Sequence, residues 1–211
     1  SAFLLTRSSD LEIRDTVQHH IDIYCEYDVS KYKEIIRTRF NTETNEPYKN
    51  AAELCGALRK VCNTSASKLN ALLDIFHDKL KIIVFYNYDY ELDIMKNLFD
   101  SCNYTYAEWN GHKHQSIPDT RSWIYLVQYN AGAEGWNCIK TDTVVYFSSN
   151  YSYKIMVQSA GRIDRMNTTY KDLYYYHIKT RSSIDRAIDR AIANKKKFNE
   201  NKFFEGAFKI C

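Results

Sequence analysis

Apolar positions change their spacing several times along the chain, and each change marks a new element. From Thr16 to Glu26 they alternate. Val17, Ile21, Ile23 and Cys25 fall on one face and Gln18, His20, Asp22 and Glu26 on the other, which predicts a strand buried on one side. Tyr32, Ile35, Ile36 and Phe40 then recur at helical spacing, with Ser30 placed to cap the helix. Two more amphipathic helices follow. One carries Ala51, Leu54, Cys55, Leu58 and Val61, the next Leu69, Leu72, Leu73 and Phe76. From Lys81 the texture shifts. The continuous apolar run Ile82–Tyr86 predicts a strand covered on both faces. Leu92, Met95, Leu98 and Phe99 then mark a helix. Further strands are expected at 104–109, 123–128, 143–148 and 173–178, with a helix over 152–165 between the last two. Another helix starts near Ser182, where Ser182 and Asp185 have capping-box spacing.

Strands alternating with helices predict an α/β fold, a parallel sheet wrapped by helices. In such sheets ligands collect at the carboxyl ends of the strands. The chain divides into a strand and helices at 1–77 leading into a sheet-bearing lobe at 78–181. A helix and a basic tail at 182–211 close it. At 211 residues and 45% hydrophobic, it is long enough for one sizeable core. No apolar run reaches the roughly 18–20 residues of a membrane span. The first residues lack the basic-then-apolar pattern of a secretory leader, so a soluble protein without membrane partners is expected.

Net charge is +3, too small to imply nucleic acid by itself. Its distribution says more: between Lys179 and Lys202 stand eight Lys/Arg and three Asp/Glu, either a solvated helix face or a phosphate-facing surface. The six cysteines form no Cys-x-x-Cys pair, and buried reduced thiols rather than a metal site are expected. His112-x-His114 with Cys102 lacks a third ligand at metal-binding spacing, and a polar turn accounts for it.

The segment Gln158-Ser-Ala-Gly161-Arg162-Ile-Asp164-Arg165 carries the sharpest chemistry. On a helix, Gln158, Arg162 and Arg165 would share one stripe, with Met156, Ala160 and Ile163 opposite, anchoring it to the sheet. Gly161 would bare the backbone beside them. Two guanidinium forks suit a polyphosphate, since each can donate two parallel hydrogen bonds to phosphate oxygens. The blander reading is a surface helix whose arginines pair with Asp164 or other carboxylates. Upstream, Tyr129-Asn130-Ala-Gly132-Ala-Glu134-Gly135-Trp136-Asn137 follows an apolar strand, and its glycines would let the backbone approach a ligand.

Together, in this order, the two segments resemble motifs five and six of superfamily-two helicases, the sixth reading Gln-x-x-Gly-Arg-x-x-Arg. Other stretches are similar to the Swi/Snf-type branch. Leu58-Arg59-Lys60-Val61-Cys62 with Ser67-Lys68-Leu69 resembles its approach to the second lobe, and Lys81–Asn87 its motif-four strand. Tyr106–Gly111 resembles the strand and turn after that, Ser183-Ile184-Asp185 the closing helix. Phe3–Arg7 with the 16–26 strand resembles the stretch joining the two lobes. The resemblance implies a RecA-like second lobe, a C-terminal helicase domain. In it, Arg162 and Arg165 would be arginine fingers and Gln158 would orient groups at the lobe junction. Glu134, Gly135 and Asn137 would lie near the nucleotide, and Asn87, Gly111, Asn130 and Gly132 near the nucleic-acid backbone. It departs from the family where Gln128-Tyr129-Asn130 replace hydroxyl residues, where Trp136 replaces an aliphatic residue, and where Met166-Asn167 follow Arg165. The compact form is similar to phage or mobile-element members, which implies the cytoplasm of a bacterium or phage-infected host.

No Gly-x-x-x-x-Gly-Lys-Ser/Thr occurs in the sequence, so this stretch lacks the phosphate cradle such ATPases need. The resemblance therefore implies that ATP and Mg are held mainly by a first lobe of the same polypeptide, with no intrinsic cofactor here. This stretch alone would be inactive. The whole would be an ATP-dependent DNA helicase or translocase. An alternative is a non-catalytic helicase-like module docking nucleic acid or protein, for which Lys195-Lys196-Lys197 speaks.

Overall fold

Strand β4 (Lys81–Tyr86) sits at the centre of the molecule because five of its six residues are apolar or aromatic and buried, which leaves neither face to water. A computed structural model describes residues 15–131 and 136–207. Among the described residues, six parallel strands form one sheet in the order β1-β8-β7-β4-β6-β5. They are β1 (Val17–Cys25), β4, β5 (Tyr106–Trp109), β6 (Trp123–Gln128), β7 (Thr143–Tyr146) and β8 (Asp172–Thr180). A two-stranded hairpin, β2 (Phe40–Asn41) with β3 (Glu46–Pro47), stands apart. Seven helices complete the described chain, α1 (Val29–Thr38), α2 (Ala51–Asn63), α3 (Ala66–Lys79), α4 (Asp89–Ser101), α5 (Tyr153–Ala160), α6 (Ser183–Ala193) and α7 (Glu200–Ala207). The α/β, RecA-like expectation holds. None of these helices is long and apolar enough to cross a membrane.

The residues of β4 alternate between two cores. Ile82, Val84 and Tyr86 face α3 and α4, where Leu72, Phe76, Met95 and Phe99 complete one cluster. Ile83 and Phe85 face a second cluster with Tyr125, Tyr146, Tyr175, Met156 and Ile163. A third cluster lies off the sheet, where α1, α2 and α6 bury Tyr32, Leu54, Leu58, Ile184 and Ile188. The edge strand β1 shows the expected alternation from Gln18 onward, its even-numbered residues exposed, whereas Val17, expected on the buried face, is exposed at the strand's start. β1 pairs with β8 over nine residues from Val17↔Asp172 to Cys25↔Thr180. It therefore shares the sheet of the 78–181 region.

Two local expectations change. Asp28, not Ser30, caps α1, its carboxylate accepting from the Lys31 N–H at 2.9 Å. Ser182 does cap α6, accepting from the Asp185 N–H at 3.2 Å, but the Asp185 carboxylate turns back to the Thr180 N–H and hydroxyl at 2.8 and 2.7 Å.

Candidate arginine site and carboxyl edge

Helix α5 ends at Ala160, so the expected single stripe of Gln158, Arg162 and Arg165 does not form. Gly161 follows with φ −67° and ψ 0°, and the chain leaves the helix there. Two forces take it out. Glycine is a poor helix former, and the Arg162 carbonyl accepts a hydrogen bond from the Cys138 N–H at 3.1 Å, which ties this turn to the loop after β6. Ile163 drops into the core, fully buried, as its apolar character predicts. Gln158 stays on the helix, exposed, and the arginines sit on the turn beyond it.

Arg162 is 8% exposed. Its Nη1 donates to the Trp136 carbonyl oxygen at 3.2 Å, and its guanidinium carbon lies 5.7 Å from the centre of the Trp136 ring. Trp136 is itself wedged among aromatics, stacked 6.3 Å from Phe85 and edge-on 5.4 Å from Tyr125. The residue whose bulk departs from the family pattern is thus the seat of the first arginine. Burial, and then the positive charge of Arg165, pull Arg162 below the usual arginine range, so the two cations act on each other. Arg165 is half-buried, and its Nε is enclosed with no hydrogen-bond partner among the described residues. Asp164, the carboxylate between them in sequence, turns the other way and accepts from the Thr16 hydroxyl at 2.7 Å and the Gln18 amide at 2.8 Å.

The residues expected to meet nucleic acid lie elsewhere, at the carboxyl ends of the strands. Asn87 follows β4, Gly111 lies just past β5, and Asn130 follows β6; the last two are exposed. Asn87 differs from them. Its side-chain amide donates to the Ser148 hydroxyl at 2.8 Å and the Ser149 carbonyl at 3.1 Å, and its oxygen accepts from Asn150 at 2.9 Å. That amide is spent on tying β4 to the loop after β7, which leaves it little to offer a phosphate. Asn110 shapes the turn at Gly111, accepting from the N–H groups of His112 and Lys113 at 2.9 and 3.0 Å. Asn137 is exposed beside Trp136. Gly132, Glu134 and Gly135 lie outside the described residues.

Beneath this edge runs a buried polar network that the sequence did not reveal. Glu91 on α4 is fully buried and accepts from Asn63 at 2.7 Å and from the Asn87 N–H at 2.8 Å. Lys68, 1% exposed, donates to Asn63 at 2.9 Å and to the Phe147 carbonyl at 2.7 Å. Arg59, 2% exposed, donates to the Ser149 carbonyl at 2.6 Å. Buried charges survive only when paired and hydrogen-bonded, so these side chains fix the loops that end β4 and β7.

No group of three or more His, Cys, Asp or Glu side chains among the described residues is placed to hold a metal. A cleft of about 970 Å³ opens between α1, the β2–β3 hairpin and α2, and none of the residues expected to meet nucleotide or nucleic acid lines it.

The fold and these two groups of residues can be set beside known proteins. Residues 67–167 match the helicase conserved C-terminal domain, a span running from the Ser67-Lys68-Leu69 segment through both arginines. The chain is similar to the C-terminal lobes of Swi/Snf-type helicases. It is 28% identical over 143 residues to the human lymphoid-specific helicase, covering 68% of this chain and 16% of that protein. It is 26% identical over 160 residues to the chromatin-remodeling ATPase INO80 of Sclerotinia sclerotiorum, covering 68% of this chain and 9% of that one. The chain thus spans a small fraction of the length of these relatives. In fold, the lobe is similar to the C-terminal part of the Fun30 ATPase domain, with a TM-score of 0.75 and 14% identity, covering 93% of this chain and 99% of that one. It is also similar to the Sulfolobus solfataricus SWI2/SNF2 ATPase core in complex with dsDNA, with a TM-score of 0.62 and 15% identity, covering 89% and 45%.

Proposed function

We propose that this lobe is one half of an ATP-driven DNA translocase or helicase, closing on ATP and Mg held by a first lobe of the same polypeptide. One observation carries the reading. Two guanidinium groups are held within electrostatic reach of each other on a turn outside helix α5. Like charges brought together and partly desolvated repel, and a polyphosphate entering between them relieves that cost. Arg162, gripped by the Trp136 carbonyl, is already oriented. Arg165, with its enclosed and unpartnered Nε, would turn to the γ-phosphate as the lobes close. An arginine finger accelerates phosphoryl transfer by about 10³–10⁵-fold, on the order of 4–7 kcal/mol of transition-state stabilisation.

Gly161 fits the same picture. A side-chain carbon added there would meet only the Gln158 and Val157 carbonyl oxygens, at 3.6 and 3.8 Å, which is ordinary contact. The lobe's own packing does not require glycine, so a surface brought close from outside gives it a reason. Gln158 and Asn137, both exposed, would complete the nucleotide-facing surface with Glu134 and Gly135.

The carboxyl edge is the proposed track for DNA, with Gly111, Asn130 and Gly132 along the backbone and Asn87 setting the loop behind them. Contacts of that kind position a duplex without reading its sequence. The dsDNA in the complex of the SWI2/SNF2 ATPase core, whose fold this lobe shares, supports DNA as the ligand. Strand β1, which enters the sheet beside the arginine turn, would be the connection to the first lobe. The deciding experiment measures DNA-stimulated ATP hydrolysis by the full-length protein carrying Arg162→Ala. A loss of at least a hundredfold in kcat is expected; unchanged turnover would refute the reading.

A further inference from the structure

The arginine turn is not helical, so hydrogen bonds within a helix cannot hold its shape. Its ties are specific. The Tyr175 hydroxyl donates to the Ala160 carbonyl at 3.0 Å, the Cys138 N–H to the Arg162 carbonyl, and Ile163 is sunk in the core. Past Ile163 the backbone tie is local, the buried Thr168 N–H donating to the Arg165 carbonyl at 3.0 Å. What links this stretch to the edge strand is Asp164. Thr16 and Gln18 are two residues apart on an extended segment, so their side chains share one face. Asp164 takes the Thr16 hydroxyl on Oδ1 at 2.7 Å and the Gln18 amide on Oδ2 at 2.8 Å. A carboxylate engaged through both oxygens by two neighbouring donors is fixed in direction as well as distance.

We infer that Asp164 is a positioning residue, clamping the arginine turn to the edge strand β1 so that Arg165 is aimed at the nucleotide. The inference rests on the function proposed above and extends it. Through this clamp a displacement of β1 moves the arginine turn, and strand and turn shift as one unit. Asp164 touches no nucleotide; it acts through Arg165.

The experiment uses the full-length protein and reads kcat and KM for ATP together with Tm. Asp164→Ala lowers kcat by about ten- to a hundredfold, as a misplacement of about 1 Å does. KM for ATP stays within about threefold, because ground-state binding belongs to the other lobe. Tm shifts by no more than about 8 °C, the range of two lost hydrogen bonds at about 1 kcal/mol each. Asp164→Asn restores most of the rate, since its oxygen still accepts from Thr16 and its amide can donate to a flipped Gln18. The double variant Thr16→Val, Gln18→Leu reproduces the loss, and adding Asp164→Ala to it slows the enzyme no further. Wild-type kcat in Asp164→Ala, alongside a large loss in Arg162→Ala, overturns this inference alone. A kcat loss in Asp164→Ala that the Thr16/Gln18 double variant does not share also overturns it. Unchanged turnover in Arg162→Ala removes the functional reading and this inference with it.

Discussion

Replacing Glu91 with alanine removes the acceptor on which the carboxyl edge of the sheet is built. Glu91 is fully buried at the start of α4 and serves the Asn63 amide at 2.7 Å, the Asn87 N–H at 2.8 Å and, more weakly, the Tyr88 N–H at 3.3 Å. The alanine leaves the two well-made donors buried without a partner, at about 1–3 kcal/mol each. It also removes a negative charge from beside Arg59 and Lys68, both of which feel it and neither of which reaches water. Stranding a buried charge outright costs about 3–5 kcal/mol, and only part of that applies here because Asp185, which both also feel, remains. The two costs overlap, since the same desolvated network bears both, so the expected loss is about 4–6 kcal/mol. Against a typical total of about 5–15 kcal/mol, that is severe. For a chain of this size Tm should fall by about 10–20 °C. Thermal melts followed by circular dichroism, with urea titration for the free energy, measure it. Glu91→Gln should fall between alanine and wild type, because its amide nitrogen confronts a donor where the second oxygen was. A drop of less than about 3 °C for Glu91→Ala would refute the claim that this network supports the edge.

Two further outcomes follow from other parts of the lobe. His177 is held at about 4, well below its ordinary 6.5, by burial first and then by Lys179 and His20, with Asp22 opposing. A depressed histidine binds its proton more readily when unfolded, so stability should decline as pH falls from about 6.5 to 4. His177→Gln, which can keep the contact to His20 Nδ1 now made at 3.0 Å, should flatten that slope in melts across the same window. At Gly161, whose backbone lies in the helical region and whose added side-chain carbon makes only ordinary contacts, alanine should leave Tm unchanged or slightly raised. The same change should cut ATP turnover in the full-length protein about tenfold or more, by holding off the first lobe that is proposed to pack against it.

The sheet was legible because burial on both faces writes itself as unbroken apolar runs, as in Ile82–Tyr86 and Trp123–Val127, and burial on one face as the alternation of β1. The end of α5 was not. Its apolar positions Met156, Ala160 and Ile163 fit a helix running to Arg165; Gly161 weakens that helix without ending it, and the bond between Cys138 and Arg162, residues far apart in sequence, adds the reason that it stops at Ala160. Tertiary contacts of that kind leave no periodic trace. Trp136 was visible as an anomaly but its purpose was not, since a tryptophan that seats an arginine looks, in sequence, like one that fills a core. Asp164 was noticed as a carboxylate near two arginines, and the structure turns it toward Thr16 and Gln18 instead. The buried set of Arg59, Asn63, Lys68 and Glu91 was hidden because charged residues at helical spacing ordinarily read as a solvated face.

Whether Arg162 and Arg165 converge on a γ-phosphate can be seen directly. The full-length protein would be crystallised with DNA, ADP and aluminium fluoride, which mimics the phosphoryl group in transfer. Both guanidinium groups should then lie about 2.7–3.1 Å from the fluoride or β-phosphate oxygens, with Asp164 still bound to Thr16 and Gln18. A closed complex in which Arg162 remains on the Trp136 carbonyl and Arg165 points away from the nucleotide would contradict the assignment of this turn.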